Sequence, residues 1–571
     1  MERKGNMGYE KIITDVLVIG AGGAGSRAAI EATNYNVNVT LLSKELLGKA
    51  HTCMAEGGVN APLANVDPAD NWQVHFKDTI EGGAYINNQK LVETLVKEVS
   101  DSIYDLEDFG AVFDRTPDGK IMQRPFGKQT YRRTCYAADR TGHEMMQTLV
   151  EEVRRRGIDV LDEVFVTNFL TSGGKVAGTF AIDCKSGGFM VFRTKSIVLA
   201  SGGAGRLYKI TTNAAQDTGD GMASAYGIGS KLVDMEMVQF HPTGMVFPES
   251  HQGVLVTEAV RGEGGLLFNI NKERFMQRYE PKKMELAGRD VVARSIATEI
   301  LEGRGTPRGG VYLDVSHLPA NIIEERLPSM LRQFMDIGVD IRKEPMQVAP
   351  TAHHFMGGVQ IDENAATNIP GLYAAGEITG GVHGGNRLGG NALADTQVFG
   401  KRAGENAAKF AQKNTLPTVD TKQVNREVKH ANGFLKRKEG LRPVAVKNKL
   451  TSMMWDKVGI FRTGKEIQEA IAEVERIKAK DLPQLYAMDG NTRYNREWIE
   501  AMEIENLVTV AEMVARAALM REESRGAHYR RDFPKTDNQN WFGSIMIQQK
   551  NGDMQFQKTP VVVTTLKPEG L

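Results

Sequence analysis

The sequence has 571 residues, of which 41% are hydrophobic and 25% charged, and its 71 basic and 71 acidic side chains leave no net charge. A chain of this length predicts roughly three or four domains. The charge balance excludes a nucleic acid as the main partner, because no excess of Lys and Arg is available to neutralise phosphates.

Cysteine content and hydropathy argue against a metal cluster, a disulfide or a membrane span within this chain. Its three cysteines, Cys53, Cys135 and Cys184, lie far apart and form no CxxC pair. We therefore expect neither an iron–sulfur cluster nor a structural disulfide in this chain. A reducing compartment fits this cysteine usage. No apolar run of about 18 residues is present to span a membrane. The N-terminal segment lacks the apolar region of a secretory signal, so we expect a cytoplasmic chain whose membrane contact runs through partners.

The first predicted elements form a βαβ unit around a glycine turn. An apolar run at 16–19 predicts a buried parallel strand, an alanine-rich stretch predicts a helix, and NVNVTLLSK predicts a second strand. Glycines at this place permit a tight turn and let a pyrophosphate lie on the helix N-terminus. The residues expected to contact the nucleotide here are Gly20, Gly22, Gly23, Ala24, Gly25, Ser43 and Lys44. An NAD-binding unit has an acidic residue where this strand ends in Ser43, so NAD is not supported.

Further elements follow in chain order. Helices are predicted at 91–110 and 143–157, and strands at 160–168, 175–183, 189–194 and 196–200. Two more strand-to-glycine turns, SGGAGRLY and GLYAAGEITGG, predict one nucleotide-binding domain interrupted by an insertion. Apolar residues at helical spacing, Ile467, Ile471, Val474 and Ile477, and a helical stretch at 498–520 predict a helical region. SIMIQQ and VVVTTL predict closing strands.

Many long motifs occur in one order along the chain: GAGGAG, HTCMAEGG, RPFGKQTYRRTCYAADRTGHEM, SGGAGRLY, TGDGM, QFHPTG, TEAVRGEGG, GRDVVARSI, PTAHHFMGG, AAGEITG, NRLGGNAL and ESRGAH. With them the chain resembles the flavoprotein subunit of succinate dehydrogenase and fumarate reductase over nearly its whole length. The resemblance implies an α/β fold with four parts. These are a Rossmann-like FAD-binding domain at 1–240 and 351–414, an inserted α+β capping domain at 241–350, a helical bundle domain at 415–522 and a small C-terminal domain at 523–571.

The resemblance implies FAD as the cofactor, attached covalently through His51 in the loop GKAHTCMAEGGVN. An electron-withdrawing imidazole on the ring favours the reduced flavin and makes it a strong enough oxidant for succinate. The other residues expected at FAD are Thr52, Glu56, Gly57, Gly58, Val166, Ala200, Gly202, Asp220, Glu377, Arg387, Asn391, Ala392 and Leu393. Carboxylates of this set would hold ribitol or ribose, and the amides of 391–393 would face the pyrimidine edge, where negative charge develops on reduction. Glu56 resembles fumarate reductases more than dehydrogenases.

The substrate implied is a C4 dicarboxylate, succinate or fumarate. The family places His241, Thr257, His353 and Arg387 around it, and the planar fork of an arginine suits a carboxylate. Residue chemistry alone favours a histidine or a carboxylate as the proton partner. The resemblance instead implies Arg289 of GRDVV as proton donor and acceptor, replenished through Glu258 and Arg261, with His241 also at the catalytic centre.

We predict no metal site, because adjacent His353 and His354 in an extended segment point to opposite faces. The role of His383 is left open. The resemblance also implies that electrons pass to an iron–sulfur subunit and then to membrane quinone-reactive subunits, which would hold the chain at the cytoplasmic face of the inner membrane.

Three alternatives stay open. L-Aspartate oxidase has the same architecture, but it binds FAD without a covalent bond and no histidine is expected at position 51. A thiol-driven fumarate reductase has a similar flavoprotein and a different electron source, which lies outside this chain. A scaffold subunit would bind FAD for stability and do no catalysis.

Overall fold

The structure is a computed structural model that describes residues 8–570 and the backbone of residues 2–5. Its strands, numbered in chain order, are β1 (Glu2–Gly5), β2 (Glu10–Ile13), β3 (Val16–Ile19), β4 (Val39–Ser43), β5 (Val59–Asn60), β6 (Gln123–Arg124), β7 (Thr134–Cys135), β8 (Asp159–Asp162), β9 (Val164–Ser172), β10 (Lys175–Asp183), β11 (Phe189–Arg193), β12 (Ser196–Leu199), β13 (Leu232–Val233), β14 (Val238–Met245), β15 (Leu266–Phe268), β16 (Val311–Asp314), β17 (Met346–Phe355), β18 (Gly358–Gln360), β19 (Leu372–Ala374), β20 (Thr379–Gly380), β21 (Gly543–Lys550) and β22 (Asp553–Pro560).

The α-helices, also in chain order, are α1 (Gly23–Ala32), α2 (Trp72–Gly82), α3 (Gln89–Asp108), α4 (Thr141–Arg155), α5 (Asp220–Gly227), α6 (Glu258–Gly262), α7 (Met276–Tyr279), α8 (Arg289–Leu301), α9 (Ala320–Arg326), α10 (Pro328–Met335), α11 (Asn391–Lys413), α12 (Thr421–Lys436), α13 (Pro443–Lys457), α14 (Gly464–Arg476), α15 (Arg496–Met520) and α16 (Asn538–Trp541). A short 3-10 turn at His51–Met54 carries the loop histidine. None of the helices formed by the described residues is both long and apolar enough to cross a bilayer.

A parallel sheet with the strand order β19-β12-β3-β4-β8 organises the nucleotide-binding part of the chain. Every residue of β3 and β4 is buried, as the apolar runs in the sequence predict. The turn after β3 is tight enough to demand glycine: a Cβ on Gly25 would lie 1.7 Å from the carbonyl oxygen of Gly20. Gly404 on α11 likewise lies against the backbone of Ala28 on α1, so these two helices pack closely.

The inserted segment forms its own layer. Strands in the order β14-β17-β16-β15 make a four-stranded antiparallel sheet. A hydrophobic cluster separate from the main core is built from buried side chains between Met245 and Val348. Strands β14 and β17 run out of and back into the nucleotide-binding part, so residues at their ends lie where the two parts meet. The exact domain boundaries stay a prediction.

The last part of the chain contains helices α12 to α15 and the hairpin β21–β22. Ile467, Ile471, Val474 and Ile477 are buried, and the indole Nε1–H of Trp498 donates to the carbonyl of Ala431 at 2.7 Å. Strand β21 pairs with β13, so the C-terminal hairpin extends a sheet that also contains β18 and β20. The segment at the chain end is therefore tied by backbone hydrogen bonds to the nucleotide-binding part.

Two predicted strands are wrong. The run at 160–168 is divided by Glu163, whose φ is +62°; β8 joins the parallel sheet beside β4, whereas β9 pairs antiparallel with β10. The run VVVTTL is not a strand. The backbone N–H groups of Thr564, Thr565 and Leu566 all donate to the side-chain oxygen of Gln89, which takes the place of strand pairing.

Candidate active site

One cavity collects most of the residues that the sequence singles out. It begins at the glycine turn after β3 and ends between the inserted segment and the loop before α11. The predicted residues that line it are Gly20, Gly22, Gly23, Ala24, Ser43, Lys44, His51, Thr52, Glu56, Gly57, Gly58, Val166, Ala200, Gly202, Asp220, His241, Thr257, Glu258, Arg289, His353, Glu377, Arg387, Ala392 and Leu393. The chain thus brings cofactor and substrate candidates into one continuous space.

Three of the predicted residues, Gly25, Arg261 and Asn391, do not line this cavity. Gly25 serves helix–strand packing instead. The backbone N–H of Asn391 already donates to the carbonyl of Leu388 at 3.2 Å, so it is not offered to a ligand. Arg261 lies behind Glu258, where its Nη1 donates to the carbonyl of Glu285 at 2.7 Å.

Lys44 and Asp220 line the cavity but have protein partners of their own. The Lys44 ammonium lies 2.6 Å from a carboxylate oxygen of Asp220 and 2.7 Å from one of Glu503. The other Asp220 oxygen accepts from the amide of Asn506 at 2.8 Å. This network joins α15 to the wall of the cavity, and direct contact of either residue with the cofactor stays a prediction.

Helix N-termini converge on the cavity. Helices α1, α5 and α11 start at it with Gly22, Gly219 and Gly390 as N-caps, none of which supplies a side-chain cap. The positive dipole ends of these helices suit a pyrophosphate and the negative charge of a reduced flavin.

Buried polar atoms on the cavity wall support the same ligand. Among the described residues, His51 Nδ1, Glu56 Oε2 and Ser201 Oγ have no hydrogen-bond partner. Buried polar groups are normally satisfied, so these atoms indicate that a polar ligand completes the site. The residues present therefore fit FAD.

The far end of the cavity holds a buried ion pair. Arg289, the first residue of α8, donates through Nε to Glu258 at 2.7 Å, and its Nη2 lies 2.7 Å from the same oxygen. The other oxygen of Glu258 accepts from the backbone N–H of Gly127 at 3.0 Å. Burial opposes ionisation of Glu258, but Arg289 and Arg261 outweigh it and hold the pKa of this carboxyl at about 2. At rest Glu258 is therefore a carboxylate, the form that can accept a proton.

Arg261 extends this pair away from the cavity. Its Nη2 lies 3.9 Å from Glu258, and the side chain of Glu285, next along the line, is bound by Arg274, which is partly exposed. The three residues of the predicted relay are thus neighbours in the structure: Arg289 is hydrogen-bonded to Glu258, and Arg261 lies 3.9 Å from the same carboxylate.

Two histidines face the same space as Arg289. The rings of His241 and His353 lie 4.9 Å apart, and His353 Nδ1 is 2.8 Å from the hydroxyl of Thr212. Burial, followed by neighbouring positive charge, lowers the pKa of both imidazoles well below the usual value. They are therefore neutral hydrogen-bonding groups rather than cations.

Adjacent His354 has different surroundings. It lies near Glu377 at 3.4 Å and against the ring of His383, and His383 itself is 3.5 Å from Asp395 and away from the cavity wall. In the described part of the chain no group of three or more His, Cys, Asp or Glu side chains is arranged to hold a metal ion.

Arg387 completes the cationic end of the cavity. It lies in the loop before α11 and is 5% exposed, and its Nε has no partner among the described residues. Burial and the neighbouring Arg289 lower the pKa of its guanidinium. Two arginines, of which one carries a carboxylate partner, face two neutral imidazoles, so the pocket suits a small anion with carboxylate groups.

Sequence reasoning missed several residues at the cavity wall or just behind it. Asp217 lies 3.9 Å from His51 Nδ1, and burial raises its pKa to about 6. Phe126 packs on the loop after His51, where a Cβ on Gly57 would lie 2.7 Å from its ring. Gln239, in the motif QFHPTG, contacts both cavity arginines. Its position two residues before His241 was the one available signal.

Comparisons with known proteins agree with this geometry. A family model described as FAD binding domain matches residues 15–393, and one described as Fumarate reductase flavoprotein C-term matches residues 447–570. The chain is 53% identical over 541 residues to a subunit of "Fumarate reductase (CoM/CoB)" from Methanothermobacter marburgensis, covering 94% of this chain and 97% of that protein. It is 37% identical over 585 residues to the succinate dehydrogenase flavoprotein subunit of Rickettsia bellii, covering 97% and 96%.

Solved structures give the same result. The FrdA chain of E. coli quinol fumarate reductase matches with a TM-score of 0.92 and 36% identity, covering 98% of each chain. The predicted α/β fold class and the FAD cofactor are confirmed by these matches. The chain belongs to the family of flavoprotein subunits of succinate dehydrogenase and fumarate reductase, which are FAD-dependent oxidoreductases.

Proposed function

We propose that this chain reduces fumarate to succinate as the flavoprotein subunit of a larger complex. The observation that carries the proposal is the end of the cavity, where Arg289, paired with Glu258, and Arg387 face His241 and His353. This arrangement has a cationic clamp for carboxylates and a proton donor connected to a carboxylate. The relative from M. marburgensis, which is 53% identical, has a name that specifies fumarate reduction.

The chain's own residues bind and orient the substrate. Arg387 pairs with one carboxylate of fumarate, while His241, Thr257 and His353 hold the other through hydrogen bonds. Fixing both ends removes rotational freedom and holds the carbon–carbon double bond in one orientation. FAD, when bound, supplies the hydride that adds to one of the two carbons.

Arg289 gives a proton to the other carbon, so that one hydride and one proton convert fumarate to succinate. A guanidinium is nearly always protonated, so the proton must be restored at once. Glu258 receives it from the row through Arg261 and passes it to Arg289 along the 2.7 Å contact.

The electrons come from outside this chain. We propose an iron–sulfur partner subunit, because the cysteines of this chain are isolated and free. As the electron source we favour two thiols, on the CoM/CoB label of the 53% identical relative. Joining two thiols into one disulfide releases two electrons and two protons, which balances the reduction of one double bond.

A quinone pool is the second candidate source. It is favoured by the fit to E. coli quinol fumarate reductase and would place the complex at the cytoplasmic face of the inner membrane through its partner subunits. A thiol source requires no such placement.

Turnover tests separate these possibilities. We expect the isolated, FAD-loaded chain to oxidise reduced viologen when fumarate is added, and not to be reduced by L-aspartate. Failure to use fumarate would contradict the proposed reaction, and reduction of the flavin by L-aspartate would favour the oxidase alternative.

A second turnover test uses the complex purified from its native source, in which coenzyme M plus coenzyme B should support fumarate reduction. Activity with a reduced quinone and not with the two thiols would establish the quinone pool as the electron source. A purified complex that contains no iron would contradict the proposed iron–sulfur subunit.

A second test concerns the flavin bond. We propose that His51 holds FAD covalently, because its ring lines the cavity and Asp217 lies 3.9 Å from its Nδ1. Acid-precipitated protein should then stay yellow, and a peptide covering residues 48–60 should carry the mass of FAD. His51→Ala should release all its flavin on precipitation and lose succinate oxidation more than fumarate reduction.

His251→Ala, in an exposed loop, is the matched control and should keep the bound colour. Wild-type protein whose flavin is entirely released by acid would show that FAD is held without the bond.

A further inference from the structure

Gln239 lies at the meeting point of the two cavity arginines. This residue of β14 is 0% exposed. Its side-chain oxygen accepts from Arg289 Nη1 at 3.1 Å and from Arg387 Nη2 at 3.0 Å. Arg289 begins α8 in the inserted segment, and Arg387 belongs to the loop before α11. One amide oxygen therefore connects two side chains from distant parts of the chain.

The amide has one possible orientation. Guanidinium groups only donate hydrogen bonds, so the oxygen of Gln239 must face them. The Nε2 group then donates to the side-chain oxygen of Asn386 at 2.8 Å and to the carbonyl of Arg387 at 2.9 Å. Asn386 in turn donates to Asp290 at 2.9 Å, next to Arg289. All the hydrogen-bonding capacity of this amide is used to hold the two arginines and their loops.

Because the side chain of Gln239 is neutral, it leaves the positive charge of Arg387 available to a ligand. Two guanidiniums that share one acceptor repel each other, and Glu258 already neutralises Arg289. One oxygen of a carboxylate at position 239 would accept from both guanidiniums as the amide oxygen does, but its charge would cancel the remaining positive charge of Arg387. The two N–H bonds that it would lose go to Asn386 and to the backbone of Arg387, and neither goes to a guanidinium. An amide fixes both groups and leaves that charge for the ligand.

We propose that Gln239 is a positioning residue that sets the distance between the proton-donating and carboxylate-binding arginines while keeping the pocket cationic for a dianion. This inference rests on the proposed function, since it assigns Arg289 and Arg387 their roles there. It assigns a part to Gln239, a residue of the motif QFHPTG that lies just behind the cavity wall.

Two substitutions separate the two properties. Gln239→Met removes the shared acceptor and frees both guanidiniums, and because misplacement by about 1 Å costs about 100-fold, kcat for fumarate should fall roughly 10- to 100-fold. Gln239→Glu keeps the acceptor but adds negative charge. It should raise KM, and the Kd for fumarate from the perturbed flavin spectrum, about 10- to 100-fold, with kcat within about threefold, because bonds to charged groups are the strong ones.

Gln123→Glu is the matched control. Gln123 is also buried, at 2% exposure, and its amide contacts Ala61 and Asn65, away from the arginines. A general effect of a buried carboxylate would appear there too, whereas our inference predicts unchanged KM and Kd for that variant.

The role of Gln239 would be overturned if the Met and Glu variants changed kcat and KM to the same extent, or if neither variant changed them. Neither result would contradict fumarate reduction by the wild type. If the wild type binds fumarate without reducing it, the proposed function fails, and the Kd of the Glu variant still decides the charge argument: an unchanged Kd would overturn it.

Discussion

Arg289→Gln is expected to lower kcat for fumarate reduction about 100- to 10,000-fold, the range typical of a lost general acid. The neutral amide keeps hydrogen-bonding ability but offers no proton of suitable acidity. Succinate oxidation should fall by the same factor, because the forward and reverse reactions share one transition state. The FAD content should be unchanged, since the arginine lies at the substrate end of the cavity. Steady-state kinetics with reduced viologen and fumarate, together with the flavin spectrum, measure all three quantities.

The partners of Arg289 sharpen this test. Its removal takes from Glu258 the closer of the two guanidiniums that keep the pKa of this carboxyl low, so a local rearrangement contributes to the loss of activity. Arg289→Lys restores a positive charge beside Glu258 and so repairs the ion pair, and the loss of rate that remains in this variant measures proton transfer rather than the rearrangement.

Arg326→Gln, on α9 of the inserted segment, removes a surface pair with Glu263 outside the cavity and serves as the control. It should stay within about threefold of the wild type, as expected of a change remote from the reacting atoms. If Arg289→Gln turns over fumarate as fast as the wild type, Arg289 is not the proton donor.

The sequence predicted the local elements well and the long-range contacts poorly. The apolar run of β3 and the glycines after it determine a strand and a turn by local sterics alone, so both appear where expected. Glu163 gave no such signal. Its left-handed conformation divides two strands because each finds a different partner sheet, and that pairing depends on residues far along the chain.

The same distinction holds for the site. Arg289 looks locally like an ordinary residue at a helix start, and its role was inferred from the family resemblance. What distinguishes this position is long-range, since folding brings Glu258 and Gln239 to it from 31 and 50 residues away. Asn391 illustrates the complementary limit: a glycine-capped helix start predicts free N–H groups, but in the structure this N–H donates to the carbonyl of Leu388 in a local turn.

Arg521→Met is expected to destabilise the protein by about 3–5 kcal/mol, the cost of removing one partner from a buried ion pair. Arg521 follows α15 and is 0% exposed; its Nε lies 2.6 Å from Glu236 and its Nη1 3.0 Å from Glu523. Its Nη2 donates to the carbonyl of Gly543 at 3.0 Å, at the start of β21. Removing the guanidinium leaves the buried carboxylates without a cation. It also removes the hydrogen bond that connects the end of α15 to the C-terminal hairpin.

Arg516→Met is the matched control on the same helix. Its guanidinium pairs with Glu512 and Glu475 at a partly exposed site, and such pairs are worth about 0–1 kcal/mol. Urea unfolding followed by circular dichroism should therefore distinguish the two variants clearly at pH 7. Equal destabilisation would show that the buried cluster is no more important than a surface pair.

The loss in Arg521→Met should also depend on pH, in a direction set by the carboxylates left behind. Burial, with Glu236 nearby, already raises the pKa of Asp234 from 3.8 to about 7, and removing the cation raises it further. The folded state then binds more protons than the unfolded chain, so stability falls as pH rises from about 4 through 7. The destabilisation relative to wild type should shrink at pH 5, where protonation relieves the repulsion. A penalty that is the same at pH 5 and pH 7.5 would mean that lost packing of the arginine stem, rather than stranded charge, causes the effect.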